Sequence, residues 1–249
     1  MELSLFGVFF RNLCEYFIIV ASLIVKIKAT CHYYRERKIC NQKIIHDRRI
    51  RMTNNLFVNE TREQLSWMNR PERWEFTDLD ELTIIAPPKS DFFQDPAGKH
   101  MVSSAPFLSI PVGDSFELTT RLRVEMRHKY DSGCLMFMMD HYNWAKICFE
   151  FDGQYPIIVS VVTREGMSDD CNSVQVAVDN PYLRITKQNH CVTFSYSEDG
   201  ANWALIRYFG MNKGAECVAG VVAQSPQGEG CSMKFEYLSL SESKGESRF

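Results

Sequence analysis

From Phe116 to Leu240 the chain breaks into short apolar stretches, and their dominant period is two. Phe116, Leu118, Thr120, Leu122, Val124 and Met126 alternate with Glu117, Thr119, Arg121, Arg123, Glu125 and Arg127. Successive strand side chains point to opposite faces, so this pattern predicts a half-buried strand with a charged outer face. Residues 133–140 (GCLMFMMD) form a continuous apolar run of strand length. Residues 143–151 (NWAKICFEF) alternate again, with Ala145, Ile147, Phe149 and Phe151 on one face. Residues 156–163 (PIIVSVVT) are β-branched. Further strands are predicted over 174–178, 182–187, 191–197, 203–210, 217–223 and 231–240. Turn signals separate them. Asp199-Gly200 closes a hairpin, and Ser225-Pro226-Gln227-Gly228 marks a loop. A short helix is expected over 61–69. Strands at this spacing, with no long 3.6-residue period, predict an all-β fold: a two-sheet antiparallel β-sandwich or jelly roll.

Charge divides the chain. The formal net charge of -3 combines a basic segment, residues 1–51, with an acidic body. The expected organisation is a basic, partly apolar segment (1–51), a sandwich domain (52–240) and a polar tail (241–249). The first segment reads as a translated leader ahead of a start at Met52, or as a signal anchor. Its only uncharged apolar run, residues 16–25, is half the length of a spanning helix. The sequence therefore predicts no membrane association unless residues 3–25 act as an anchor. An acidic body argues against nucleic acid as a partner. Six cysteines (Cys134, Cys148, Cys171, Cys191, Cys217 and Cys231) are scattered through the body without a C-x-x-C pair. That spacing fits free thiols in a reducing cytoplasm and no zinc site.

Motifs for nucleotide or metal chemistry are missing. There is no G-x-G-x-x-G, P-loop, H-E-x-x-H or G-x-S-x-G, and His100, His128, His141 and His190 are dispersed. No cofactor and no metal are expected. Asp131, Asp169 and Asp170 do not form a calcium loop and read as turn residues. The polar face of residues 144–150 is the most informative feature. Alternation puts Trp144, Lys146 and Glu150 on one side, where a flat apolar ring beside charged groups suits a binding groove. Tyr130-Asp131 precedes the apolar run at 133. Arg184 and Arg207 sit within otherwise apolar strands, and each needs a carboxylate partner or an anionic ligand. Trp203 shares the face of Arg207. Glycoside hydrolysis needs two carboxylates flanking the bond. Here the strand offers Glu150 alone, since Cys148 stands at the alternate position before it.

A series of short motifs then falls into order: Trp74, Ala86-Pro87, Ser90-Asp91-Phe92-Phe93, Asp95-Pro96, Tyr130-Asp131-Ser132-Gly133, Asn143-Trp144-Ala145-Lys146, Glu150, Ser168-Asp169-Asp170, Leu183-Arg184-Ile185, Asp199-Gly200, Trp203, Arg207 and Ser225-Pro226. Over about residues 65–240 this succession resembles the domain-of-unknown-function family labelled "regulation of enolase protein", in the concanavalin A-like lectin/glucanase superfamily. The resemblance implies a jelly roll with a concave face, and the superfamily suggests carbohydrate. On this reading Trp144, Lys146, Glu150, Tyr130, Asp131, Arg184, Trp203 and Arg207 bind a carbohydrate or similar small polar ligand in a concave groove. The alternatives are a carbohydrate-active enzyme with Glu150 as acid or base, and a regulatory protein-interaction module. The sequence assigns no oligomeric state.

Overall fold

The computed structural model describes residues 54–211 and 217–243. The N-terminal segment discussed above lies outside the described residues, as do the last six residues of the tail. The described chain opens with one helical turn, α1 (Asn59–Arg62). The strands that follow are β1 (Ser66–Met68), β2 (Trp74–Phe76), β3 (Leu82–Ala86), β4 (Phe92–Gln94), β5 (Met101–Ser103) and β6 (Phe107–Val112). Next come β7 (Ser115–Val124), β8 (Ser132–Asp140), β9 (Asn143–Phe151), β10 (Pro156–Arg164) and β11 (Met167–Gln175). The last five are β12 (Tyr182–Gln188), β13 (Cys191–Ser197), β14 (Ala204–Gly210), β15 (Cys217–Gln224) and β16 (Cys231–Ser241).

Fourteen of the strands pair antiparallel into two seven-stranded sheets, and β4 pairs with β5. The first runs β1-β6-β15-β8-β9-β10-β11 and the second β14-β13-β12-β7-β16-β3-β2. The two-sheet antiparallel sandwich expected from the spacing is the observed fold. Its core forms between the sheets, from Leu135, Phe137, Ala145, Ile147, Phe149, Ile158 and Val162 on one side and Leu118, Leu122, Leu183, Ile185 and Phe194 on the other. Burial of such alternating faces is what turns the period-two pattern into a layered fold.

The first sheet is buried on its other face as well. A second apolar cluster there joins Phe107, Cys134, Met136, Met138, Trp144, Cys148, Val159, Val161 and Val222 to Phe92 and Ala105. Burial on both faces accounts for the unbroken apolar run of β8. The cover is the β4–β5 hairpin. It is tied at one side by Gln94 N–H donating to Ser168 Oγ (3.0 Å), and at the other by Asn69 Nδ2 donating to the carbonyls of Ser103 and Ala105. A bridge between Ser90 and Ser225 fixes its base.

Two expectations need correction. The helix ends at Arg62, and residues 66–68 form β1 because Trp67 packs on the core instead. The strand expected at 174–178 begins at Met167, so Ser168-Asp169-Asp170 is strand and not turn; register with β10 places Asp169 and Asp170 on an exposed edge and buries Ser168. The strands β1–β6 escape the alternation test because each spans only three to six residues.

Gly220 on β15 has a steric cause. A Cβ there would lie 1.9 Å from the Leu108 carbonyl oxygen, so β6 and β15 approach only across a bare Cα. Gly200 adopts φ +74° in the predicted hairpin turn. Asp199 accepts the backbone N–H groups of Ala201 (2.9 Å) and Asn202 (2.8 Å) there.

Candidate functional site

A cavity of about 280 Å³ opens on the outer face of the first sheet, beside the β4–β5 hairpin. Strand register builds its floor. Gln224, Ser132 and Glu150 stand in one row across β15, β8 and β9. Met136, Lys146, Val161 and Asp170 stand in another across β8, β9, β10 and β11. Cys134, Cys148 and Val159 lie between the rows and are short, which leaves room above them. Asp91 and Phe93 come from the hairpin, with His100 at its turn. Tyr130 and Gln227 complete the rim.

Lys146 is 2% exposed. Its Nζ donates to Gln224 Oε1 at 2.8 Å and lies 3.5 Å from Asp91 Oδ1. Burial alone would lower its ammonium. Asp91 above all, then Cys148, Cys134 and Glu150, outweigh burial and hold it above the ordinary lysine range. Glu150 is 7% exposed and accepts from Ser132 Oγ at 3.3 Å. Burial drives its carboxyl well above the usual range. Lys146 opposes that shift, while Cys134, Asp170 and Asp91 add to it. Asp170 is also raised, chiefly by burial. His100 Nε2 meets Asp91 Oδ2 at 3.2 Å from the rim. The floor thus offers a fixed ammonium, a carboxyl biased toward its acid form and an amide, all aimed into one small space. A larger hollow of about 440 Å³ near Arg70 and Arg127 lacks this character. Its Arg127–Glu125 pair is solvent-exposed.

Residues 67–243 match the family described as "Protein of unknown function (DUF1349)". The chain belongs to this family. Among curated relatives, "Regulation of enolase protein 1" of Saccharomyces cerevisiae is 24% identical over 189 residues, covering 76% of this chain and 94% of the relative. A crystal structure described as a functionally unknown protein from Saccharomyces cerevisiae superposes with a TM-score of 0.69 at 24% identity, over 74% of this chain and 98% of that one. A xylan beta-1,4-xylosidase from Bacillus halodurans C-125 superposes with a TM-score of 0.53 at 13% identity, over 72% of this chain but 39% of the other. The two solved structures share the sandwich fold.

Within this DUF1349 member, the residues singled out by sequence divide into three groups. Lys146, Glu150 and Tyr130 line the cavity. Trp144 shares their face but is 0% exposed. Phe92 meets it edge to face at 6.0 Å, so it is hairpin-packed core and not a ligand platform. Asp131 lies beneath the rim, fully buried. It accepts from the backbone N–H groups of Arg127 and His128 and from Ser225 Oγ at 2.6 Å, which positions the loop carrying Gln227.

Arg184 and Trp203 sit elsewhere. Leu183 and Ile185 face the core, so Arg184 points outward from the second sheet. There it lies 3.6 Å over the Trp203 ring and 3.7 Å from Glu117. Arg207 reaches from β14 to Asp169 Oδ2 at 2.8 Å. Both arginines have carboxylate partners, and neither enters the cavity.

The sequence reading missed Asp91, Phe93, His100, Asp170, Gln224 and Gln227 as site residues. Asp91, Phe93 and Asp170 fall within the motifs that carry the family resemblance, which was the available signal. Gln224 ends an apolar strand and had none. Among the described residues no cluster of three His, Cys, Asp or Glu side chains has metal-holding geometry. Nor, among them, is any helix long and apolar enough to cross a membrane.

Proposed function

We propose that this cavity binds a carbohydrate or a similar small polar ligand. The observation that carries the reading is the convergence of Lys146, Glu150, Asp91 and Gln224 on one floor beneath Tyr130 and Phe93. Few, fixed polar groups in a partly apolar hollow are the usual make-up of a small-ligand site. Gln224 and Glu150 would exchange hydrogen bonds with hydroxyls. Tyr130, 36% exposed at the rim, supplies a ring face in place of Trp144. The xylosidase named above lends this reading a carbohydrate-active neighbour at the level of fold, and fold alone does not fix activity. The buried thiols of Cys134, Cys148 and Cys231, none of them in a disulfide, suit a reducing cytoplasm, where we place the protein. The test is calorimetric titration of the folded protein with a glycan panel, repeated with Glu150→Gln. Saturable binding lost in the variant supports the reading; no binding by correctly folded protein overturns it.

A second reading is catalytic. The presence of Asp91 and Asp170 with Glu150 in one cavity favours it, since the strand itself offers a single acid. Glu150, held toward its protonated form, would serve as general acid. Turnover of aryl glycosides that Glu150→Gln abolishes would establish it, and unchanged turnover would remove Glu150 from that role. The regulatory alternative draws on the name of the yeast relative. A pull-down whose signal survives Glu150→Gln and Tyr130→Gly would point to a protein partner instead.

A further inference from the structure

Resting on the carbohydrate reading, we infer that the cavity takes a single neutral, unphosphorylated sugar ring presented as a chain end, and rejects anionic sugars and internal chain segments.

The walls carry the first half of the inference. The β4–β5 hairpin crosses the face of the first sheet, tied to β11 through Ser168 and to the β1 side through Asn69. Where it crosses, Phe92 and Trp144 leave no open surface, both being 0% exposed. On the β15 side the Ser90–Ser225 bridge closes the cavity behind Asp91 and Gln224. On the far side stand Tyr130 and the loop at Gln227, held by the Asp131–Ser225 hydrogen bond. The remaining side faces β11, an edge strand whose Asp170 lines the cavity. A polymer can enter there but has no exit across the sheet. At about 280 Å³ the space also falls below the roughly 300–1,000 Å³ of pockets for drug-sized ligands.

The charges carry the second half. The cavity holds one buried cation, Lys146, already matched by Asp91 and Gln224. An ammonium has three donors, so one remains for a ligand hydroxyl while the charge itself is engaged. Against it stand three carboxyls, Asp91, Glu150 and Asp170. The rim adds His100, itself on Asp91. Lys129 lies over the Tyr130 ring, and Lys89 is drawn toward Glu229 at 3.5 Å. A phosphate or carboxylate entering this space meets no net positive charge, since Asp91 matches Lys146, and a lining with no guanidinium, the group best suited to grip it. Hydroxyls meet acceptors and donors alike.

The experiment uses the full chain and titration calorimetry at fixed ionic strength. The probes are methyl glycosides of neutral pentoses and hexoses, linear oligomers of those that bind, and the matching uronic acids and sugar phosphates. The expected result is that one ring binds, that its oligomers bind within about threefold of it, and that the charged analogues bind at least tenfold more weakly. Asp170→Asn should shrink that discrimination ratio, which a purely structural role for Asp170 would leave unchanged. Affinity climbing tenfold or more with chain length, or tighter binding of a phosphate, overturns this inference while the carbohydrate reading stands. Binding of no probe at all overturns both.

Discussion

Trp144 and Phe92 meet edge to face with ring centroids 6.0 Å apart, and this contact joins the hairpin to the first sheet. Trp144 is fully buried beneath it. Trp144→Ala should therefore destabilise the fold by about 3–5 kcal/mol, in the range for emptying a buried aromatic site. Denaturant unfolding monitored by circular dichroism checks this. Full stability with lost ligand binding would return Trp144 to the binding surface.

Tyr130 gives the contrasting case. It holds φ at +72° and is anchored by its own N–H donating to the Phe151 carbonyl at 2.7 Å. A non-glycine residue in the left-handed region costs about 1–2 kcal/mol. Tyr130→Gly should remove the rim ring and its ligand contact while leaving the melting temperature equal or higher. A large drop in melting temperature would show that the ring is structural.

Lys146 and Asp91 form a buried pair, and the two halves of it should respond unequally. Asp91→Ala leaves an ammonium with its charge unmatched at a position 2% exposed. Breaking such a pair from one side typically costs about 3–5 kcal/mol. Adding Lys146→Met to Asp91→Ala should recover much of that loss, since the uncompensated charge is gone. Chemical denaturation of both single variants and the double variant measures the coupling directly.

The Glu150 carboxyl is raised by burial, so the native state binds its proton more tightly than the unfolded chain does. Stability is then withdrawn as pH rises from the ordinary glutamate range toward the raised value. Glu150→Gln abolishes that dependence. The variant should gain on the parent as pH climbs above the ordinary glutamate range. Melting temperatures across pH 4–8 test the trend. Asp170, also raised, contributes a slope of the same sign that remains in the variant.

Gly220→Ala should be among the more damaging single-methyl changes. The added carbon would stand 1.9 Å from a backbone oxygen of β6, which cannot rotate away. Overpacking typically costs about 1–3 kcal/mol and here should reach the upper end. A melting temperature within a degree of the parent would show that β6 shifts freely.

Much of the sandwich was legible because burial of one sheet face imposes a period of two. β9 and β13 match their expected bounds residue for residue. The same logic placed Lys146 and Glu150 together. It could not say which side of that face would be covered, since the cover comes from a hairpin some fifty residues earlier in sequence. Trp144 was misjudged for that reason: period two tells which residues share a face and nothing of what lands on it. Arg184 and Trp203 were misplaced for the related reason that strand faces in different sheets look alike in sequence. Asp91 and Gln224 were invisible as a pair because only tertiary packing brings both to Lys146.

The second apolar cluster means that the sheet beneath the cavity is clamped from both faces. A binding surface laid on an exposed sheet can ripple, and its side chains sample many rotamers. Here the carboxyl of Glu150 and the amine of Lys146 stand on a strand that has packed neighbours above and below. Their geometry is set before any ligand arrives. The reorganisation on binding then falls almost wholly on the ligand and its shed water, which favours rigid rings over flexible chains.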